Sequence, residues 1–212
     1  MTDDKQLFAD FTELQLDALA ETFNLSLGEA AAVFSEMVAE PIELTVPTVK
    51  ILRREELLKE LGKVQGADKV DRLCAINQHF DAGDAFHTDT MLVFPEQGSL
   101  EIVRKMLGDG TSIDQITELE QDALAEIGNI IINSCMSSLA NLFQTTIEGT
   151  LPVVKTTEAA SLFDPYINSD VILIAQIGMT MSTQNISGYM LFIMDVASVR
   201  GFMAQVQRLF GI

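Results

Sequence analysis

From 13 to about 39, Leu16, Leu19, Phe23, Leu27, Ala30, Phe34 and Met37 recur at steps of three and four. That spacing gathers them on one stripe of an α-helix. Thr12 and Gln15 fit a capping box, Phe11 can staple onto Leu16, and Pro41 stops the helix. The pattern returns from 118 to about 143, where Thr117 and Glu120 fit the same cap and Leu124, Ile127, Ile131 and Leu142 continue an apolar face. Each helix leads into a run of strand character, 42–49 and 147–154. Pro47 and Pro152 lie inside these runs, which suits an edge strand or a strand break because proline cannot donate to a ladder. Short helical pieces are expected at 53–61 and 157–163. Hairpin strands follow at about 69–80 with 90–94, and at about 171–183 with 187–194, the second pair joined by 184–187. A final helix closes each half, at about 99–107 and 198–210. This order predicts an α/β chain of the α+β type, with an antiparallel sheet and helices segregated beside it.

The two halves also share polar positions. Asp17, Glu21, Asn24 and Pro47 return as Asp122, Glu126, Asn129 and Pro152, each 105 positions on, and Asp-Ala-Leu-Ala-Glu is repeated letter for letter. An internal repeat of this length implies a duplicated unit. The expectation is one domain over 1–212, built of repeats at about 11–107 and 116–210, with a Gly-Asp-Gly-Thr-Ser junction near 108–115. Met91-Leu92 aligns with Met190-Leu191 at an offset of 99. The first half therefore carries six extra residues, for which the polar tip at 81–89 is the expected place.

On a helix, Asp17, Glu21 and Asn24 fall one above the other on a face distinct from the apolar stripe, and so do Asp122, Glu126 and Asn129. A carboxylate and a carboxamide thus project together from a rigid surface. The glutamate can pair with a cation on a partner, and the asparagine offers a donor and an acceptor on one planar group, suited to orienting a water. Glu-x-x-Asn alone is common on solvated helices; two copies in register, each with its proline, mark a site. No histidine or cysteine accompanies them, so any catalysis rests on positioning a reactant. Cys74 and Cys135 are isolated, and His79 and His87 lack ligand-like spacing and read as surface residues.

The 212 residues are 48% hydrophobic and carry a net charge of −18. That acidity argues against general nucleic-acid binding; it serves solubility, or attracts a partner with a basic rim. The start Met-Thr-Asp-Asp has no signal-peptide pattern. The most apolar stretch, 171–181, is shorter than the roughly 20 residues a bilayer requires. The expected location is the cytoplasm.

Asp17-x3-Glu21-x2-Asn24-x22-Pro47, and the same pattern from Asp122 to Pro152, resemble the signature of the CheC/CheX/FliY phosphatases of bacterial and archaeal chemotaxis. Two intact sites in a chain of this length look like the CheC branch. The resemblance implies a pseudo-twofold fold with a continuous antiparallel sheet and two long site-bearing helices on one side. It also implies hydrolysis of the aspartyl phosphate on a CheY-type receiver. Asn24 and Asn129 would orient the attacking water, and Glu21 and Glu126 would dock a receiver lysine. Asp17 and Asp122 would aid docking, while Pro47 and Pro152 would be structural. Mg²⁺ is expected from the receiver, with no metal site in this chain. The alternative is a non-catalytic adaptor that binds the receiver or the deamidase CheD. The second site reads Glu126-Ile127-Gly128-Asn129, the usual family form, whereas the first has Phe23 in place of the glycine.

Overall fold

The computed structural model describes residues 11–52, 56, 72–107, 118–158, 161–162, 171–181 and 184–212. Most of the helical piece expected at 53–61, the junction at 108–115 and the Thr117 cap lie outside these residues. The elements run α1 (Glu13–Val38), β1 (Ile42–Leu52), β2 (Leu73–Asp81), β3 (His87–Pro95), α2 (Glu96–Leu107) and α3 (Glu118–Phe143). They continue β4 (Glu148–Gly149), β5 (Val153–Thr157), β6 (Val171–Met181), β7 (Gln184–Met194) and α4 (Val196–Phe210). The α+β architecture with a large antiparallel sheet is the expected one.

Local chemistry sets the ends of α1. The Thr12 N–H donates to Gln15 Oε1 at 2.8 Å, and the Gln15 N–H donates to Thr12 Oγ1 at 3.3 Å, so both halves of the capping box form. The helix stops one step before Glu40 and Pro41, where Ala39 turns into the left-handed region and its N–H caps the Ser35 carbonyl. Ser35 Oγ also accepts the Ile42 N–H at 2.9 Å, which fastens the end of the helix to the start of β1.

The strand order is β1-β6-β7-β3-β2, with β4 and β5 both paired to β2. The first strand of each half is therefore bonded to the hairpin of the other half: β1 to β6, and β5 to β2. Both prolines behave as their chemistry requires. Pro47 falls in the β1–β6 irregularity between Thr45 and Thr48, and Pro152 lies in the gap between β4 and β5.

The registers and element bounds correct four expectations. Thr48 faces Gln176 and Val153 faces Asn77; Thr48 and Val153 each follow the proline, so Asn77 and Gln176 are counterparts, 99 apart. Six surplus residues of the first half thus precede β2, within 53–72, and one more lies in the first hairpin, where 14 positions separate Asn77 from its partner Met91 against 13 from Gln176 to Tyr189. The tip itself is a short turn in which the Ala82 N–H donates to the Phe86 carbonyl at 2.9 Å. Leu92, not Met91, matches Met190: both face the helices, whereas Met91 and Leu191 face the opposite side of the sheet. Side chains alternate along a strand, so a one-residue slip exchanges the faces. Finally, residues 184–187 belong to β7 and not to a turn, and β5 runs through Thr157, where a helical piece was expected to begin.

All four described helices pack on one face of the sheet, where the main core lies. Leu19, Phe23, Leu27, Ala30 and Phe34 of α1 are fully buried, as are Leu124, Ile127, Ile131 and Leu139 of α3. Phe202 of α4 is the ring around which the aromatic core gathers. Its centroid lies 5.0 Å from Phe86, 5.4 Å from Phe143, 6.0 Å from Phe23 and 6.1 Å from Phe192. A smaller apolar cluster, including Ala75, Val93, Ile174 and Leu191, covers the other face. By length and composition, Glu120–Phe143 could cross a membrane; here its apolar side is the core of the fold.

Two glycines, one on each long helix, should respond oppositely to alanine. A Cβ on Gly28 would meet nothing within 4 Å, whereas one on Gly128 would lie 2.4 Å from Ile76 Cγ2. Gly28→Ala should raise stability by about 1 kcal/mol through helix propensity. Gly128→Ala should lower it, because overpacking against a stiff β-branched side chain costs about 1–3 kcal/mol; urea unfolding of both variants checks the signs.

Both cysteines are buried, and burial pushes the Cys74 thiol up to about 11 and the Cys135 thiol up to about 12. The folded state keeps these protons longer than the unfolded chain, so stability falls as pH rises from the ordinary thiol value of 9.0 toward these values. A thiol reagent near neutral pH should label neither cysteine in the native protein and both in denaturant.

Candidate functional site

Burial of the inner stripe on each long helix turns the repeated polar residues outward. Asp17, Glu21 and Asn24 are exposed on α1; Asp122 and Glu126 are exposed on α3, with Asn129 half-buried. Glu21 and Glu126 form no ion pair with another described residue, so their carboxylates face solvent. The side chains at Thr22 and Ser26, which lie on the buried side, return their hydroxyls to the Ala18 and Thr22 carbonyls at 2.8 and 2.7 Å. The hydroxyls that the helix could not leave unpaired are thus satisfied internally, while the Asp–Glu–Asn stripe stays exposed.

The two asparagines are not loose surface amides. Asn24 Oδ1 accepts the Val46 N–H of β1 at 2.9 Å. Val46 immediately precedes Pro47, at the irregularity where β1 loses its regular pairing with β6. The link explains the spacing between the asparagine and the proline: the kinked edge strand returns beside the helix and supplies a backbone donor. Because an N–H only donates, it seizes the oxygen of the carboxamide and leaves Nδ2 pointing away. Pro47 thus lies beside the site in the chain, whereas no bond joins Pro152 or its neighbour Leu151 to Asn129.

Asn129 is held at the same atom by a different donor. Asn133 Nδ2, one turn along α3, donates to Asn129 Oδ1 at 2.6 Å. The matching position on α1 is Gly28. Sequence reasoning passed over both Val46 and Asn133. A backbone donor leaves no mark in sequence, but an asparagine four residues beyond another was a legible signal.

Phe23 does not intrude on the first site. Its ring is fully buried and packs 4.9 Å from Phe192, on the side of the helix away from Asn24. The matching glycine on α3 makes room for Ile76 of β2. The strand position that corresponds to Ile76 is Ala175, so bulk sits on the helix in one half and on the sheet in the other. The departure at Phe23 is a packing exchange.

Apolar side chains next in sequence to motif residues are exposed. Leu25 follows Asn24 and is half exposed, while Leu151 and Val153 flank Pro152 at 84% and 64% exposure. Elsewhere, His87 bridges the start of β3 to α4: its Nδ1 lies 3.2 Å from Ser198 Oγ and its Nε2 3.5 Å from Asp195 Oδ2. This Ser–His–Asp set is a helix cap. Ser198 is buried, its hydroxyl also accepts the His87 N–H, and Asp195 is the N-cap of α4. The hydrogen bond from the Ser198 backbone, aided by His87, holds the Asp195 carboxyl below its ordinary value. His79 is likewise a surface residue, paired with Asp89 at 3.1 Å.

Comparison with known proteins finds relatives of this chain. A model of the CheC-like family matches residues 119–155, the stretch that holds Asp122, Glu126, Asn129 and Pro152. The chain is 25% identical over 176 residues to the CheY-P phosphatase CheC of Bacillus subtilis, covering 81% of this chain and 78% of that protein. It is 24% identical over 148 residues to the flagellar motor switch phosphatase FliY of the same organism, where the match spans 69% of this chain and 36% of FliY. The fold is that of Thermotoga maritima FliY, with a TM-score of 0.78, 17% identity and coverage of 94% of this chain and 98% of that one. Motif, family model, relatives and fold all point to similarity with the CheC/CheX/FliY family.

Proposed function

We propose that this chain is a protein aspartyl-phosphate phosphatase that acts on a CheY-type receiver. The observation that carries the reading is the anchoring of both repeated asparagines at their amide oxygen. A carboxamide fixed in this way presents two N–H donors outward and keeps a second oxygen lone pair. Held against an aspartyl phosphate, it would bind a water and a phosphoryl oxygen together and hold the water in line with the scissile bond. Water attacks phosphorus, the bond from phosphorus to the aspartyl oxygen breaks, and inorganic phosphate and the free carboxylate result. Rate comes from positioning and electrostatics, as phosphoryl transfer requires of a protein. The Mg²⁺ that neutralises the phosphoryl group would be the receiver's own.

Glu21 and Glu126 stand one turn before the asparagines with carboxylates open to solvent, placed to pair with a receiver lysine. Asp17 and Asp122 extend the acidic face by another turn. The exposed Leu25, Leu151 and Val153 give a protein partner apolar surface beside these charges. A net charge of −18 would draw a basic partner rim toward the helices.

The direct test is the decay rate of a phosphorylated CheY-type receiver with and without the protein. The wild type should accelerate decay, and the double variant Asn24→Ala/Asn129→Ala should lose about 10²-fold or more of that acceleration while still binding the receiver. Binding without acceleration by the wild type would instead make this chain a receiver-binding adaptor. Charge reversal at the docking position separates binding from chemistry: Glu21→Lys/Glu126→Lys should abolish measurable affinity for the receiver in calorimetry, with an unchanged far-UV spectrum. Unaltered affinity would contradict the proposed pairing.

A further inference from the structure

We infer that Asn133 is the positioning residue of the second site: it sets which end of the Asn129 carboxamide faces the reaction. The inference rests on the phosphatase reading and extends it to a residue outside the repeated motif. In the first site the task belongs to the backbone, because the Val46 N–H donates to Asn24 Oδ1 at 2.9 Å. The second half has lost that arrangement. The counterpart of Val46 is Leu151, which lies between β4 and β5, outside any strand, with its side chain 84% exposed. Among the described residues, Asn129 takes its hydrogen bond from Asn133 alone, Nδ2 to Oδ1 at 2.6 Å.

The substitution is reciprocal along the helices. Where the strand supplies the donor, the residue four beyond the asparagine is Gly28, with no side chain; where the strand does not, it is Asn133. One turn of helix puts those positions on the same face, so the i+4 residue can reach the carboxamide without disturbing the buried stripe. Each site therefore has one anchor on the same oxygen, tertiary in the first and local in the second. The two sites should then fail for different reasons: the first when the Pro47 irregularity is disturbed, the second when residue 133 changes.

The test uses the full chain with the first site silenced by Asn24→Ala, so that only the second site turns over. In that background Asn133→Ala should lower receiver dephosphorylation at saturation about tenfold, since small misplacements of a positioning group carry costs of that order. Asn133→Asp should be lower still. It has the same shape but only acceptors, so it would bond Asn129 Nδ2 and withdraw the donors from the phosphoryl group. Asn133→Gln, which keeps the amide donor, should recover part of the rate. Affinity for a receiver locked in its active state with beryllofluoride should stay at the parent value in all three, as should the melting temperature.

Parent turnover in both Asn133→Ala and Asn133→Asp would overturn the inference. So would a loss that follows affinity or melting temperature, because that is the mark of a merely structural residue. An active wild type with an inactive Asn24→Ala parent would also overturn it, since the second site would then be silent. Failure of the wild type to accelerate decay at all would instead defeat the phosphatase reading beneath it.

Discussion

The burial of one apolar stripe on each long helix is the constraint from which the rest follows. With Leu19, Phe23, Leu27, Ala30 and Phe34 all fully buried, α1 has no rotational freedom left. Turning it by one residue would lift several large side chains into water at about 1.5–3 kcal/mol each. The phase that keeps these residues inside is the phase that keeps Asp17, Glu21 and Asn24 outside. The same holds for α3, whose inner stripe is equally buried. The site is thus aimed by hydrophobic burial on the reverse side of the helix that carries it.

Interlocking of the sheet adds a second level of control. Each half lends its first strand to the other half's hairpin, so neither helix can shift without moving strands from both halves. On β1 this connection reaches the site itself. The irregularity at Pro47 brings the Val46 N–H to the Asn24 carboxamide, joining the edge of the sheet to the exposed face of the helix. The second half, with its strand divided around Pro152, holds Asn129 from within the helix instead. Duplication has preserved the outcome, an oxygen-anchored amide, while the means of anchoring differ.

Much of this was legible in the residues. The three- and four-residue steps located both long helices to within a residue or two, the Thr12–Gln15 cap formed as read, and the prolines marked an edge strand and a strand break. Hairpin details were not. Met91-Leu92 and Met190-Leu191 look alike letter for letter, yet the structure separates them by one step and places the two methionines on opposite faces of the sheet. Buried on both faces, these strands run apolar from Met91 to Phe94 and from Met190 to Met194 and offer no alternation there by which to set a register. The surplus residues were misplaced for the same reason: the polar turn drew them all, while six lie before β2 and one in the hairpin.

The sequence by itself determined the helices, their inner and outer faces, the duplication, and the Asp–Glu–Asn–Pro sets, because periodicity and repeated spacing are local properties that survive in one dimension. Only the tertiary structure decided how the halves exchange strands, why one half holds Phe23 where the other holds Gly128, and what grips each asparagine. Those depend on contacts between residues far apart in the chain, as when Gly128 meets Ile76, or on a backbone N–H that every residue but proline possesses and no sequence distinguishes. The repeated polar residues were written along the chain, and their orientation was fixed by packing.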